Sequence, residues 1–284
     1  MNEHDEAIHE QVREKYGRVA ETKKESCGCK PSSSCCGGKS KGDSPEQLAQ
    51  ALGYNNDELG AVPDGANMGL SCGNPFAIAS LREGEVVLDL GSGGGFDVFV
   101  AGRKVGVTGR AIGVDMTPEM LSKARRNIAS YNARTGLNNV EFRLGEIEHL
   151  PIADASVDAI ISNCVINLSP DKLQVWKEIT RVLKPGGRVS VSDIAILKPL
   201  PAAAKASMDA LVGCIAGAVT LDETKSMVCA VGLTDATYEC KSAVIDNMFT
   251  WSDPVFSELA GAFPAGSRLG DYVTSLSISA RKPR

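Results

Sequence analysis

The sequence predicts a doubly wound α/β fold, and three observations predict it. A strand-type run, Val86 to Leu90, breaks into a glycine turn and then into a helical pattern. From Glu85 onward, strand and helix patterns alternate, the arrangement that winds into a mostly parallel sheet with helices on both faces. Two strands of this series carry an acid at their ends, Asp89 and Asp115, one crossover apart.

The whole chain has room for such a core. It has 284 residues, 43% hydrophobic and 23% charged, consistent with one main domain and appendages. A net charge of −5 gives no reason to expect nucleic acid or an anionic membrane as a partner. The N-terminus is polar with no apolar leader core, and the longest near-apolar run, Leu211 to Val219, is too short to span a bilayer. The expectation is a soluble, cytoplasmic protein. Nine cysteines are many for a reducing compartment, where metal, metalloid or redox chemistry is a better account than a disulfide framework. With only three histidines, His4, His9 and His149, any soft-ion site must be mainly thiolate.

Taken in order, residues 2–24 carry Ile8, Val12, Tyr16 and Val19 at helical spacing, an amphipathic helix for surface packing or for a lid. Ser26 to Gly42 holds four Cys, five Ser and four Gly in 17 residues and reads as a linker that cannot order itself by apolar burial. Its Cys27-x-Cys29 and Cys35-Cys36 pairs lack the spacing of a zinc knuckle. A soft-ion capture arm, a zinc site and an inert linker all remain open for it. Ser44 to Leu52 predicts a short helix with Pro45 in its first turn, and Asn55 to Pro75 a loop. Strands are expected at 85–90, 110–115, 139–144, 157–164 and 187–194, and helices near 97–105, 118–134 and 170–183. Leu183 to Arg188 reads as a helix stop and turn. A small-residue helix near 202–219, another at 222–230, and strands at 237–242 and 272–281 complete the chain. In the last strand Leu276, Ile278 and Ala280 alternate with Ser277, Ser279 and Arg281, as in a half-buried strand.

The glycine turn suggests the ligand. Gly91-x-Gly93-x-Gly95 is followed by Phe96, so the third glycine of a dinucleotide fingerprint is missing. Asp89 would repel a pyrophosphate and attract an ammonium or sulfonium, and S-adenosylmethionine carries both. The stretch resembles the first motif of the S-adenosylmethionine-dependent methyltransferases; a glycine turn that binds nothing is the alternative. Asp115 suits the two ribose hydroxyls. Met116 suits an adenine face or plain core packing. Glu146 and Ile147, after Gly145, stand where adenine would be edged and covered. Asn163, at the tip of the fourth strand, suits the methionine end.

Five stretches together are similar to the arsenite S-adenosylmethionine methyltransferases: 89–97, Ile-Gly-Val-Asp-Met-Thr-Pro-Glu-Met (112–120), Ser-Asn-Cys-Val-Ile-Asn-Leu (162–168), Leu-Lys-Pro-Gly-Gly-Arg (183–188) and Cys-Gly-Asn-Pro (72–75). The likeness runs from about Val12 to Cys214. It implies a doubly wound Rossmann-like methyltransferase sheet with a helical N-terminal segment and C-terminal additions. It implies three parts: 1–75 with the N-terminal helix, Cys-rich linker and substrate loop; 76–199 holding the cofactor; and 200–284 completing the sheet and metalloid site. It implies that Cys72, Cys164 and Cys214 hold trivalent arsenic, with Cys35 and Cys36 assisting and Cys27 and Cys29 competing for that part. Thioredoxin or glutathione is the implied reductant. Three thiolates suit As(III), which is soft and pyramidal. Deprotonating a thiol of pKa ~8.5 costs about 2 kcal/mol at pH 7, small beside the As–S bonds formed. A methyltransferase for a small organic acceptor and a thiol-based metalloid or zinc-binding protein are the competing readings. Cys229 and Cys240 are expected to be small buried apolar residues.

Overall fold

A computed structural model describes residues 3–21, 44–71, 73–74, 80–202, 215, 217–241, 245, 264 and 267–284. Its centre is an eight-stranded sheet in the order β3-β2-β1-β4-β5-β8-β7, with a short β6 paired to β5. β1 (Val86–Leu90), β2 (Arg110–Asp115), β3 (Val140–Leu144), β4 (Val157–Asn163), β5 (Leu183–Ile196) and β6 (Val219–Thr220) run parallel. β8 (Val273–Arg281) is antiparallel to both β5 and β7 (Thr234–Lys241). The chain winds outward from β1 to β3 and returns to β4 on the other side of β1. The strand order therefore reverses between β1 and β4, where an open α/β sheet forms its crevice. Among the described residues no helix is long and apolar enough to cross a membrane.

Three helices follow the strands as the periodicity predicts. α4 (Phe96–Val105) is buried on nearly every side, because two short helices that precede β1, α2 (Pro45–Ala51) and α3 (Asn56–Ala61), lie over its outer side. α5 (Pro118–Thr135) turns Met120, Leu121, Ala124 and Tyr131 inward and stops at Gly136 in the left-handed region. α6 (Lys172–Val182) buries Val175, Trp176, Ile179 and Val182, one stripe along the helix. α1 (Glu3–Glu21) packs on α5 and buries Val12, with Ile8 and Tyr16 half-buried beside it.

The structure departs from the sequence reading at five places. α3 lies inside the stretch expected to be loop: Asn55 and Glu58 cap each other reciprocally, which starts a helix without an apolar period. β5 begins at Leu183, earlier than expected, because Val157 pairs with Leu183 and Ala159 with Arg188, and the Lys-Pro-Gly-Gly turn is taken up as a bulge. Val219 and Thr220 are strand, where a helix was expected to reach 219; most of that helix lies outside the described residues. β8 is buried on both faces, Thr274, Ser275 and Ser277 included, with Leu276, Ile278 and Ala280 packed in one apolar cluster and Val273 in another. Cys229, on α7 (Leu221–Ala230), and Cys240, on β7, are exposed free thiols, because α7 turns Thr224 and Val228 inward instead and β7 is the edge strand of the sheet.

Candidate functional site

The crevice at the strand-order reversal is a cleft with about 1040 Å³ of empty space, counted out to its mouth. Its floor is the turn after β1. Gly91, Gly93 and Gly95 all have positive φ, 67°, 49° and 91°, which glycine adopts without strain. At Gly91 space is also decisive, since a Cβ would overlap both methyls of Val165 from the loop after β4. The turn is held from β2: the Gly91 and Ser92 N–H groups donate to the Val114 carbonyl at 2.8 and 3.0 Å, and the Gly93 N–H donates to Asp115 Oδ2 at 2.8 Å. Asp115 Oδ1 accepts from the Thr117 N–H at 2.8 Å. Oδ2 thus holds the glycine turn and Oδ1 the segment after β2, where the Thr117 hydroxyl also bonds this carboxylate.

The cleft is acidic. Asp89, Asp97 and Asp115 all line it, and among its described lining residues there is no lysine or arginine. Asp89 and Asp97 are only 5% and 6% exposed. Burial pushes the Asp89 carboxyl well up, and the nearby Asp97 and Asp115 charges push the same way. Burial likewise raises Asp115 against the hydrogen bonds from Thr117 and Gly93. Asp97 is pushed up to about 6, again by burial, against hydrogen bonds from Tyr54 and Asn163. Tyr54 Oη donates to Asp97 Oδ1 at 2.6 Å, and Asn163 Nδ2 lies 3.4 Å from Oδ2. Buried carboxylates without a cation are costly. The donor set therefore fits a positively charged nucleoside derivative, such as S-adenosylmethionine, and disfavours a pyrophosphate.

Of the sequence candidates, Asp89, Gly91, Gly93, Asp115, Met116, Ile147, Asn163 and Cys164 share this cleft. Glu146 does not join its wall; its carboxylate lies 3.4 Å from His9 Nδ1 and 3.6 Å from Arg13 Nη1 of α1. Cys164 is 7% exposed and takes φ +56°, a left-handed conformation uncommon for a non-glycine residue. Its N–H donates to the Ser192 carbonyl at 2.8 Å. Its sulfur is in a disulfide, and neither Cys229 nor Cys240 is the partner, since both are free thiols. Cys27, Cys29, Cys35, Cys36, Cys72 and Cys214 lie outside the described residues.

Several lining residues carried no signal in the sequence reading. Asp97 could have been noticed as an acid in the first helical turn after the glycines. His9 could not: its Nε2 meets Glu148 Oε1 at 3.1 Å across 139 residues of sequence. Glu148 also accepts from the Ser169 hydroxyl, and all three residues are buried at the rim of the cleft.

A fold with its glycine turn, acid-tipped β2 and acidic pocket at the β1/β4 crevice is that of the S-adenosylmethionine-dependent methyltransferases, and residues 81–237 match the family model described as "Methyltransferase domain". Within that class the relatives are specific. The arsenite methyltransferase of Halobacterium salinarum is 44% identical over 283 residues, 98% of this chain and 67% of that protein. That of Aquipseudomonas alcaligenes is 36% identical over 231 residues, 80% of this chain and 62% of its own length. The crystal structure of an arsenic(III) S-adenosylmethionine methyltransferase from Chlamydomonas reinhardtii superposes with a TM-score of 0.58 at 32% identity, covering 84% of this chain and 73% of that one. The chain belongs to the arsenite methyltransferase family. It spans about two thirds of the length of these two curated relatives.

Proposed function

We propose that the protein methylates trivalent arsenic held by cysteine thiolates, Cys72, Cys164 and Cys214, with Cys35 and Cys36 delivering it. The observation that carries the reading is Cys164: a buried cysteine, held in a left-handed conformation, in the same cleft as Asp89, Asp97 and Asp115. When bound, S-adenosylmethionine supplies a methyl on a positively charged sulfur, the electrophile that an arsenic lone pair can take.

The chain's own residues do the rest. Asp89 and Asp97 offer negative charge to the cationic end, and Asp115 offers lone pairs to the ribose. Ile147 and Met116 give apolar cover, and α1 shields the cleft with His9, Val12 and Tyr16. Three thiolates replace three hydroxides on arsenic and leave its lone pair as the only open direction. Holding that lone pair toward the methyl donor is positional catalysis, and no general base is needed. Methylation takes arsenic from As(III) to As(V). Two thiolates that close to a disulfide return the two electrons; that Cys164 is disulfide-bonded supports this reading. A dithiol or thiol reductant, thioredoxin or glutathione, then reopens the site, which fits a reducing cytoplasm. In this reading residues 1–75 form the lid and substrate loop, 76–199 hold the cofactor, and 200–284 complete the sheet and arsenic site.

The test is reduced protein with S-adenosylmethionine, arsenite and glutathione, the arsenic species being resolved by mass. Methylated arsenicals are expected, and their loss in Cys164→Ser. Consumption of the methyl donor only when an organic acceptor is added, with Cys164→Ser fully active, would replace this reading with that of a small-molecule methyltransferase. Tight arsenite binding without consumption would make it a sequestration protein.

A further inference from the structure

The turn that presents Cys164 is mounted from two sides. One is β5. The Cys164 N–H donates to the Ser192 carbonyl at 2.8 Å. Further along the turn, the Asn167 N–H and Nδ2 donate to the Asp193 carboxylate at 3.1 and 2.8 Å, and Nδ2 also donates to the Ile194 carbonyl at 2.6 Å. Asn167 and Asp193 are both buried, so little water competes for these bonds. The other side is the cofactor floor. Val165, between Cys164 and the short 3-10 helix Ile166–Leu168, lines the cleft with its side chain against the glycine turn. A Cβ at Gly91 would lie 2.4 and 2.5 Å from its two methyl carbons. Gly91 is itself fixed from β2, through its N–H on the Val114 carbonyl. Val165 thus follows the thiol in the chain and, across the cleft, bears on the turn that forms the cofactor floor.

We propose that Val165 is a positioning residue for methyl transfer: seated on Gly91, it fixes the height of Cys164 above the glycine turn, and so the gap between thiol-bound arsenic and the methyl donor. The proposal rests on the arsenite reading given above. Two physical features suit valine to the task. Its branched Cβ restricts χ1, so two methyls pressed on backbone act as a stiff spacer. Cys164 sits at φ +56°, a conformation that is costly for a non-glycine residue and persists only where its surroundings over-determine it. The β5 bonds hold the turn to the sheet, but they do not gauge its distance from the glycine turn. With Val165 cut back, Cys164 can relax into the vacated space. Reacting atoms must stand about 3–3.5 Å apart and in line, and a misplacement of about 1 Å can cost roughly a hundredfold in rate. Valine offers neither substrate a polar or soft ligand atom. Its loss therefore falls on the transfer step and leaves the binding of both nearly intact.

Single-turnover methyl transfer reads this step directly. The full chain, reduced with glutathione and saturated with S-adenosylmethionine, is held in excess over arsenite, and the arsenic species are resolved by mass. In Val165→Ala the transfer rate should fall about tenfold to a hundredfold, the scale of a sub-ångström to ångström misplacement. S-adenosylmethionine and arsenite affinities, measured by calorimetry on the same protein, should stay within about threefold of wild type, because a loss confined to the chemical step marks an interaction that counts only in the transition state. Val165→Thr keeps the branched shape and should keep the transfer rate within about threefold of wild type. Each of the following outcomes overturns the proposal while leaving the arsenite reading standing. Val165→Ala transfers at the wild-type rate, or its loss of rate is matched by an equal loss of cofactor affinity, or Val165→Thr falls as far as Val165→Ala. Failure of the reduced wild-type protein to methylate arsenite at all would overturn both.

Discussion

Asp97 illustrates how a single side chain sets the working range of the cleft. Burial pushes its carboxyl up to about 6 in the ligand-free protein, so below that pH it is neutral and offers a cation little. Above it the carboxylate is charged and faces a cleft without lysine or arginine among its described lining residues. S-adenosylmethionine affinity is therefore expected to rise as pH increases from about 5 to about 7, with proton release on binding near pH 6. Calorimetry in two buffers of different ionisation enthalpy measures both. Asp97→Asn should weaken binding at pH 7.5 by roughly tenfold or more, the worth of a charge-assisted contact, and flatten the pH dependence. An unchanged slope in that variant would move the titration to Asp89 or Asp115.

Among the elements, α1 is the one whose role was least visible beforehand. Its apolar stripe is real, but its seat is polar: buried His9 reaches Glu148, which Ser169 also holds. His9→Leu removes a buried hydrogen bond to a carboxylate, worth about 1–3 kcal/mol. The expected result is amide exchange in residues 3–21 faster by about tenfold to a hundredfold, with the sheet strands unchanged. Equal protection in wild type and variant would show that α1 is held by its apolar contacts alone. β5 has a comparable anchor at its start. Arg188 Nη1 and Nη2 donate to Glu85 Oε1 and Oε2 at 2.8 and 2.7 Å, beneath little solvent, and Nη2 also donates to the Ser80 carbonyl at 2.9 Å. Burial pushes the Glu85 carboxyl up, but the Arg188 and Arg82 hydrogen bonds outweigh it and hold it below its ordinary value. Arg188→Met leaves that half-buried carboxylate without its cation and should cost about 1–2 kcal/mol, read as a lower denaturant midpoint.

For the molecule as a whole, the acidic interior makes stability depend on pH in an unusual direction. Asp97 and Asp193 both sit near 6 in the fold because of burial, against an ordinary aspartate near 4 when unfolded. Between those values the folded state binds more protons than the unfolded one, so stability falls as pH rises. Glu85, held low, acts the other way, and only below about its ordinary pKa. The ligand-free protein should thus lose melting temperature from about pH 4.5 to 6.5. S-adenosylmethionine, whose positive charge suits the ionised cleft, should raise the melting temperature more at pH 7.5 than at pH 5. Scanning fluorimetry over that range checks both, and a flat ligand-free profile would contradict the burial of these carboxyls.

The sequence by itself determined the doubly wound sheet and the cofactor floor. Both rest on local signals: the period of the apolar residues, the glycines that need positive φ, and an acid at the end of a strand. It also marked Cys164, because a strand tip at the crevice follows from strand order. It left open whatever depends on partners far apart in the chain. The burial of both faces of β8 needed the distant apolar clusters that its two sides join. The exposure of Cys240 followed from which strand ended the sheet, and that of Cys229 from which face α7 turned inward. His9 needed Glu148, and Asn163 needed Gly73 and Asp97. Periodicity reports what a residue does to its neighbours in sequence; only folding brings an amide within 3 Å of a carbonyl 90 residues away.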